Sequence, residues 1–233
     1  MIPMSTSAKT RFITFEGIDG CGKSTQARLL MEKLNEEGCK AILVREPGGT
    51  RVSEAVREIL LTKGMDELQG RTEALLMTAS RAQLTDEVIL PNLDKGNWVI
   101  ADRYADSTLA YQGGGRQLDV EWLIKLNLFA TDELTPDMTI FVDVVPEEGK
   151  RRRESNNPDR IEKAGVDFQQ NVRKMYQEIV AYIKDPKIGL GIKIVKPESE
   201  AEKIQNEGLS EKVSVIFRDY RDIKKKYSKF QFY

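Results

Sequence analysis

Gly17, Gly22, Lys23 and Ser24 stand in the spacing Gly-x-x-x-x-Gly-Lys-Ser. Gly17, Gly20 and Gly22 let successive backbone N–H groups curl around an anion. The helix that follows adds its partial positive charge, and Lys23 reaches a second phosphate. Ser24 offers its hydroxyl to magnesium. A plain glycine turn between strand and helix would not call for Lys23-Ser24. A second constellation, Asp102-Arg103, ends an apolar run that starts at Trp98. An acid at the end of a strand beside a phosphate loop is placed to hold Mg²⁺, and the arginine next to it to meet another anion. Two phosphate-binding devices suggest two phosphorylated ligands. Met77 and Arg81 are four residues apart and share a helix face, so a thioether and a guanidinium could meet one planar ligand. On spacing alone they read equally as packing and surface charge, and Arg57 as a solvated helix arginine. The chain has no histidine, which removes imidazole bases, His-bearing zinc sites and Ser-His triads. Chemistry here falls to carboxylates, lysine, arginine and metal.

The elements that must position these groups follow from apolar periodicity. Runs at 11–16, 40–46, 98–102, 138–143 and 192–195 read as short buried strands, and helical spacing is expected at 25–37, 54–61, 72–89, 120–130 and 167–183. Thr50 or Ser53 caps the second helix and Asp119 the helix at 120–130. Periodicity places Val56, Ile59 and Leu60 of the second helix on one apolar stripe, and Leu75, Leu76, Ala79, Leu84 and Val88 of the third in the core. Gly113-Gly-Gly115 reads as a flexible turn. Strands alternating with helices predict an α/β fold, a five-stranded parallel sheet with helices on both faces and ligands at the strands' carboxyl ends. The basic, turn-rich piece at about 147–162 has the length of a small mobile lid. As a bare charge run it reads as a solvated loop. Residues 1–10 read as a disordered tail, and 206–233 as a helical extension through Val213, Ile216, Phe217 and Tyr220.

The chain has 233 residues, a net charge of −1 and 31% charged residues, so one α/β domain with an insert is expected. No basic excess points to nucleic acid, and partners are expected to be small molecules. Cys21 and Cys39, with no signal sequence or apolar span of about eighteen residues, suggest a reduced, cytoplasmic protein away from membranes.

Five motifs, in order, resemble thymidylate kinases of the bacterial type. They are Phe15-Glu-Gly-Ile-Asp-Gly-Cys-Gly-Lys-Ser24, Arg45-Glu-Pro-Gly-Gly-Thr50, Ser80-Arg-Ala-Gln83, Asp102-Arg-Tyr-Ala-Asp-Ser-Thr-Leu-Ala-Tyr-Gln-Gly-Gly-Gly-Arg116 and Asp159-Arg-Ile-Glu162. The resemblance covers about residues 11–200, and implies a kinase domain at 11–205 that transfers phosphate from ATP to dTMP, as a homodimer. It places ATP on Gly17, Ile18, Asp19, Gly20, Cys21, Gly22, Lys23, Ser24 and Thr25. It places the acceptor on Glu46, Pro47 (with a cis peptide before it), Arg57, Met77, Arg81, Arg103, Ser107, Tyr111 and Gln112. Arg57 and Arg103 meet its phosphate, and Arg81 the thymine edge. Asp19, Lys23, Asp102 and a lid arginine carry catalysis, with Ser24, Asp102 and Asp19 around Mg²⁺. Because the loop position after Asp19 is Gly20, the resemblance implies that Arg151, Arg152 or Arg153 supplies the catalytic charge, and Arg152 is favoured. Met77 stands where the family usually has phenylalanine, so a thioether contact replaces ring stacking. Two other readings share the loop: a deoxynucleoside kinase, whose acceptor carries no phosphate for Arg57 and Arg103, and a nucleotide-binding module without transfer. The Asn-Lys-x-Asp of GTP switches is absent.

Overall fold

β1 (Phe12–Glu16) is buried along its whole length, and the alternation of its side chains creates two cores, one on each side of a sheet. Ile13 and Phe15 join one cluster with Ile100, Ile140, Val142 and Val172, while Phe12 joins Val44, Leu84, Val99 and Ala101 in the other. The structure, a computed structural model, describes residues 11–62, 67–153, 159–183 and 213–217. After β1 come α1 (Lys23–Glu36), β2 (Ala41–Arg45), α2 (Arg51–Leu61) and α3 (Gly70–Leu84). The last runs through a π-helical turn at Thr85–Ile89 into α4 (Leu90–Asp94). β3 (Trp98–Asp102) leads to α5 (Ala105–Thr108), which continues as a π-helix, Leu109–Gly115. Then follow α6 (Val120–Ala130), β4 (Met138–Val142), α7 (Pro146–Arg152), a 3₁₀ turn at Glu162–Ala164, α8 (Gly165–Ile183) and β5 (Val213–Phe217).

The sheet order is β2-β3-β1-β4-β5. The first four strands are parallel, so β1, β2 and β3 open their carboxyl ends on one edge, with Phe15 opposite Asp102 and Asp102 opposite Arg45. That register brings the phosphate loop, Asp102-Arg103 and Glu46-Pro47 together. The expected five-stranded sheet is present, with one correction. β5 runs antiparallel to β4, Met138 opposite Phe217, within the tail where helical spacing was expected. Its Val-Ser-Val-Ile-Phe is short and β-branched, and those propensities outweigh three apolar residues at helical intervals. The strand expected at 192–195 and the tail at 1–10 lie outside the described residues. Among the described residues no helix is long and apolar enough to cross a membrane.

Thr50 caps α2, its Oγ1 accepting from Ser53 N at 3.1 Å, and Asp119 caps α6, accepting from Trp122 N at 2.7 Å. Two expectations about packing change. Leu75 is 50% exposed, Ile59 42% exposed and Ala79 is also exposed, while α3 buries Glu73, Ala74, Thr78, Ser80 and Arg81. Periodicity found an apolar stripe on α3, but the helix turns Glu73, Thr78, Ser80 and Arg81 inward as well, and of these Arg81 reaches a cavity. Gly113-Gly-Gly115 is a packed π-helical segment rather than a flexible turn. A Cβ on Gly114 would lie 2.6 Å from Met175 Cβ and one on Gly115 2.4 Å from the Phe168 ring, so the glycines admit α8.

Glu16 ends β1 with 1% of its surface exposed. Its carboxylate accepts from Tyr104 N (2.8 Å), Ser107 Oγ (2.6 Å) and Tyr176 OH (2.8 Å), joining β1, α5 and α8. Burial, and then the Asp106 charge, push its pKa up to about 7. The native state therefore binds a proton that the unfolded chain has released, and this contribution to stability, full at low pH, is lost as pH rises toward 7. Urea midpoints measured between pH 5 and 8 should fall less steeply for Glu16→Gln than for the parent chain. Parallel curves would show that Glu16 is not the titrating group.

Candidate active site

A cavity of about 300 Å³ opens at the carboxyl edge of β1, β2 and β3, within the range of small-ligand pockets. Its walls hold Asp19, Lys23, Ser24, Glu46, Pro47, Arg57, Met77, Arg81, Asp102, Arg103, Ser107, Tyr111 and Gln112, together with Arg45, Leu61, Thr108, Asp159 and Ile161. Every acceptor-binding residue expected from the sequence lies on it.

The phosphate loop comes first. Gly22, at φ 95°, precedes α1 in the left-handed region that glycine adopts without strain. Lys23 is 6% exposed, and its Nζ donates to Ile18 O at 3.4 Å and stands 3.9 Å from Asp19 Oδ1. The ammonium is folded into the loop it serves. Ser24 and Thr25 are exposed at the first turn of α1. Gly20 meets the lid helix α7 at backbone distance: a Cβ there would fall 2.1 Å from Gly149 O, and a Cβ on Gly149 2.6 Å from Asp19 O.

Arg103 follows β3 with φ 76°, a rare value for a residue with a side chain, and its N–H donates to Phe15 O at 3.0 Å. Nη1 donates to Gly17 O (3.0 Å) and Ser107 Oγ (3.1 Å), Nη2 to Asp19 Oδ1 (2.5 Å) and Tyr111 OH (2.9 Å), and the group stacks 4.7 Å above the Tyr111 ring. Burial works against its charge, but Tyr111, Asp19, Tyr176 and Asp102 more than offset it, so the guanidinium stays protonated. Asp19 mirrors this. Burial raises its pKa, and Arg103, Lys23, Tyr111 and Arg153 together hold it far below the usual carboxylate range. Arg57 Nη1 and Arg45 Nη1 both donate to Pro47 O, at 2.8 and 3.1 Å, so two cations converge beside Arg103. Burial, then the Arg45 charge, lower the Arg57 pKa. The Glu46–Pro47 peptide is cis.

Arg81 is 2% exposed and fully engaged. Nε and Nη2 donate to Glu46 Oε2 (2.8 and 2.6 Å), Nη1 to Thr108 Oγ1 (2.7 Å) and Asn127 Oδ1 (2.6 Å), and Nη2 also to Tyr104 O (2.9 Å). A guanidinium has five N–H groups, so a nucleobase meeting Arg81 would take the place of one of these partners. Glu46 Oε1 is buried without a hydrogen bond, and burial raises its pKa against the pull of Arg81.

The lid arginines differ in their partners. Arg152 Nε donates to Glu148 Oε1 at 2.7 Å and Arg151 binds the same carboxylate, and none of Arg151, Arg152 and Arg153 lines the cavity. Arg153, at the end of α7, donates from Nε to Gly149 O (3.3 Å), and its charge acts on Asp19. Of the three lid arginines, Arg153 is the one whose charge acts on the phosphate loop, while Arg152, favoured from the sequence, is paired with Glu148. Arg160 is an anchor, donating to Leu60 O (3.0 Å) and Glu73 Oε2 (2.5 Å).

For a magnesium ion the fit is partial. Asp102 Oδ1 is buried without a hydrogen-bond partner on the same wall as Ser24, as a metal-facing oxygen would be. Asp19 differs, since both its oxygens already accept, from Arg103, Tyr111 and Gln169. Among the described residues no three acids or thiols cluster as a ready protein cage, which suits an ion held mainly by phosphates and water. Sequence reading missed Glu16, Tyr176, Gln169 and Glu73. An acid inside a buried run was the available signal for Glu16, whereas Tyr176 and Gln169 look like ordinary positions of an amphipathic helix.

A family model described as thymidylate kinase matches residues 15–207. Similar proteins include a thymidylate kinase of Thermosipho melanesiensis, 50% identical over 168 residues that make up 72% of this chain and 83% of that one. Another, from Ligilactobacillus salivarius, is 41% identical over 204 residues, 86% of this chain and 96% of the relative. A crystal structure of thymidylate kinase from Ehrlichia chaffeensis superposes with a TM-score of 0.58 at 36% identity, covering 74% of this chain and 87% of that one. Matches of that extent, in a chain that gathers the same motifs around one cavity, make this protein a member of the thymidylate kinase family.

Proposed function

We propose that the chain transfers the γ-phosphoryl group of ATP to dTMP, giving dTDP and ADP in the supply of dTTP. The observation that carries this is the convergence of two anion-binding devices, the loop around Lys23 and the Arg57–Arg103 corner, on one cavity at neighbouring strand ends. The second device distinguishes an acceptor that already carries phosphate from a nucleoside.

Phosphoryl transfer needs alignment and positive charge more than covalent help. Backbone N–H groups of Gly17–Thr25 and Lys23 hold the donor phosphates. Arg57 and Arg103 hold the acceptor phosphate, with Asp19 keeping Arg103 in place until it arrives. Met77 lies against the base with its thioether, Glu46, Pro47, Ser107, Tyr111 and Gln112 shape the sugar and base pocket, and Arg81 keeps Glu46 fixed. Arg153 supplies lid charge to the moving group. Ser24 and Asp102 are the residues that would hold Mg²⁺, which when bound neutralises charge on the phosphate oxygens. Cys21 and Cys39 are free thiols, in keeping with a reducing cytoplasm. The exposed apolar residues Ile59, Leu75, Trp122 and Phe129 on α2, α3 and α6, of which α3 packs against both others, favour a homodimer joined through that face.

ADP release with ATP and Mg²⁺ should be strong with dTMP and weak with thymidine. Turnover of thymidine alone would make the chain a nucleoside kinase, and silence with ATP still bound a nucleotide-binding module. Arg103→Ala should raise the KM for dTMP about 10–100-fold, far more than that for ATP. Equal losses would remove the two-site assignment. Arg153→Ala should lower kcat about 10³-fold with both KM values retained, while Arg152→Ala stays active; the reverse pattern would return the role to Arg152. Sedimentation should report a dimer that Leu75→Glu converts to monomer, and a monomeric parent chain would refute the interface.

A further inference from the structure

Glu73 takes no part in phosphoryl transfer, yet it is a carboxylate with only 1% of its surface exposed. Oε1 accepts from Gln112 Nε2 at 2.9 Å and Arg116 Nε at 3.1 Å, and Oε2 from Arg116 Nη2 at 3.0 Å and Arg160 Nη2 at 2.5 Å. Burial opposes its charge, but these donors outweigh it and hold the pKa below the usual carboxylate range. An ionised carboxylate only accepts hydrogen bonds. The planar amide of Gln112 must therefore turn its NH₂ to Glu73 and its oxygen the other way. Gln112 is 1% exposed and lines the cavity, so that oxygen belongs to the cavity wall.

We propose that Glu73 is a positioning residue for base selection: by fixing the Gln112 amide, it makes the base end of the cavity offer an acceptor rather than a donor. This rests on the reading of the acceptor as dTMP. A thymine ring carries an N3–H that such an oxygen can accept. A cytosine ring presents an unprotonated N3 there, which the oxygen repels. Met77, an apolar contact, cannot distinguish the two edges. Arg116 and Arg160 serve the same end by keeping Glu73 ionised in a buried place.

The test compares dTMP with 5-methyl-dCMP, which keeps the methyl group and changes only the N3/C4 edge, in the parent chain, Glu73→Gln and Arg160→Lys. In Glu73→Gln the partner can donate as well as accept, so Gln112 is free to turn over. The ratio of kcat/KM values for the two nucleotides should fall about tenfold or more, mainly through the KM for dTMP, with the KM for ATP unchanged. Arg160→Lys alters the geometry on the lid side but keeps the cation that holds Glu73 ionised, and should leave the ratio within about twofold. An unchanged ratio in folded Glu73→Gln, or an equal fall in Arg160→Lys, would overturn the proposal. If circular dichroism shows that Glu73→Gln does not fold, Glu73→Asp, which keeps the charge but withdraws it from the amide, is read by the same two outcomes. A parent chain that ignores dTMP would instead defeat the functional reading itself.

Discussion

The ion pair between Arg103 and Asp19 ties the end of β3 to the loop that follows β1, and most of the site takes its shape from it. A half-buried pair of this kind gains little net stability, because desolvation offsets much of the attraction, but separating it leaves a charge stranded. Its effect is therefore geometric. It holds Arg103 at a positive φ that the backbone alone would not choose, and it draws Tyr111 and Gln169 onto the same carboxylate. The strand register makes the pair possible, since Phe15 and Asp102 sit side by side on adjacent parallel strands.

Around that pair the acids divide by environment. Asp19 is surrounded by cations and held ionised, Glu16 is drawn toward protonation by burial and the Asp106 charge against the pull of Arg103, and Glu73 is held ionised by two arginines and Gln112. Burial opposes the charge of all three, and whether it prevails is decided by the cations at hand. The arginines follow the same logic, with Arg81 locked among four partner residues and Arg57 and Arg45 gathered around one carbonyl.

Much of this was legible in the sequence because strand ends carry their chemistry next to apolar runs that announce them. Lys23, Asp102, Arg103 and Glu46-Pro47 each follow such a run, and all line the cavity. Helix faces were harder. In α3 the apolar stripe through Leu75 and Ala79 faces out, while Thr78, Ser80 and Arg81 are inside with hydrogen-bond partners that periodicity does not register. Within the lid, a helical turn rather than a count along the chain decides that the Arg153 charge acts on Asp19 while Arg152 pairs with Glu148. β5 reads as helix because Val213, Ile216 and Phe217 fit a helical stripe that continues to Tyr220, and so short a segment fits either period.

The close approach of Gly20 and Gly149 bears on how such an enzyme could change over time. A side chain at position 20 has no room while α7 lies against the loop, so an arginine cannot be recruited there by a single substitution. A positive charge placed at position 20 would require α7 to withdraw at the same step, taking Arg153 with it. The residue at position 20 and the seating of α7 are thus coupled, so the two must change together or not at all.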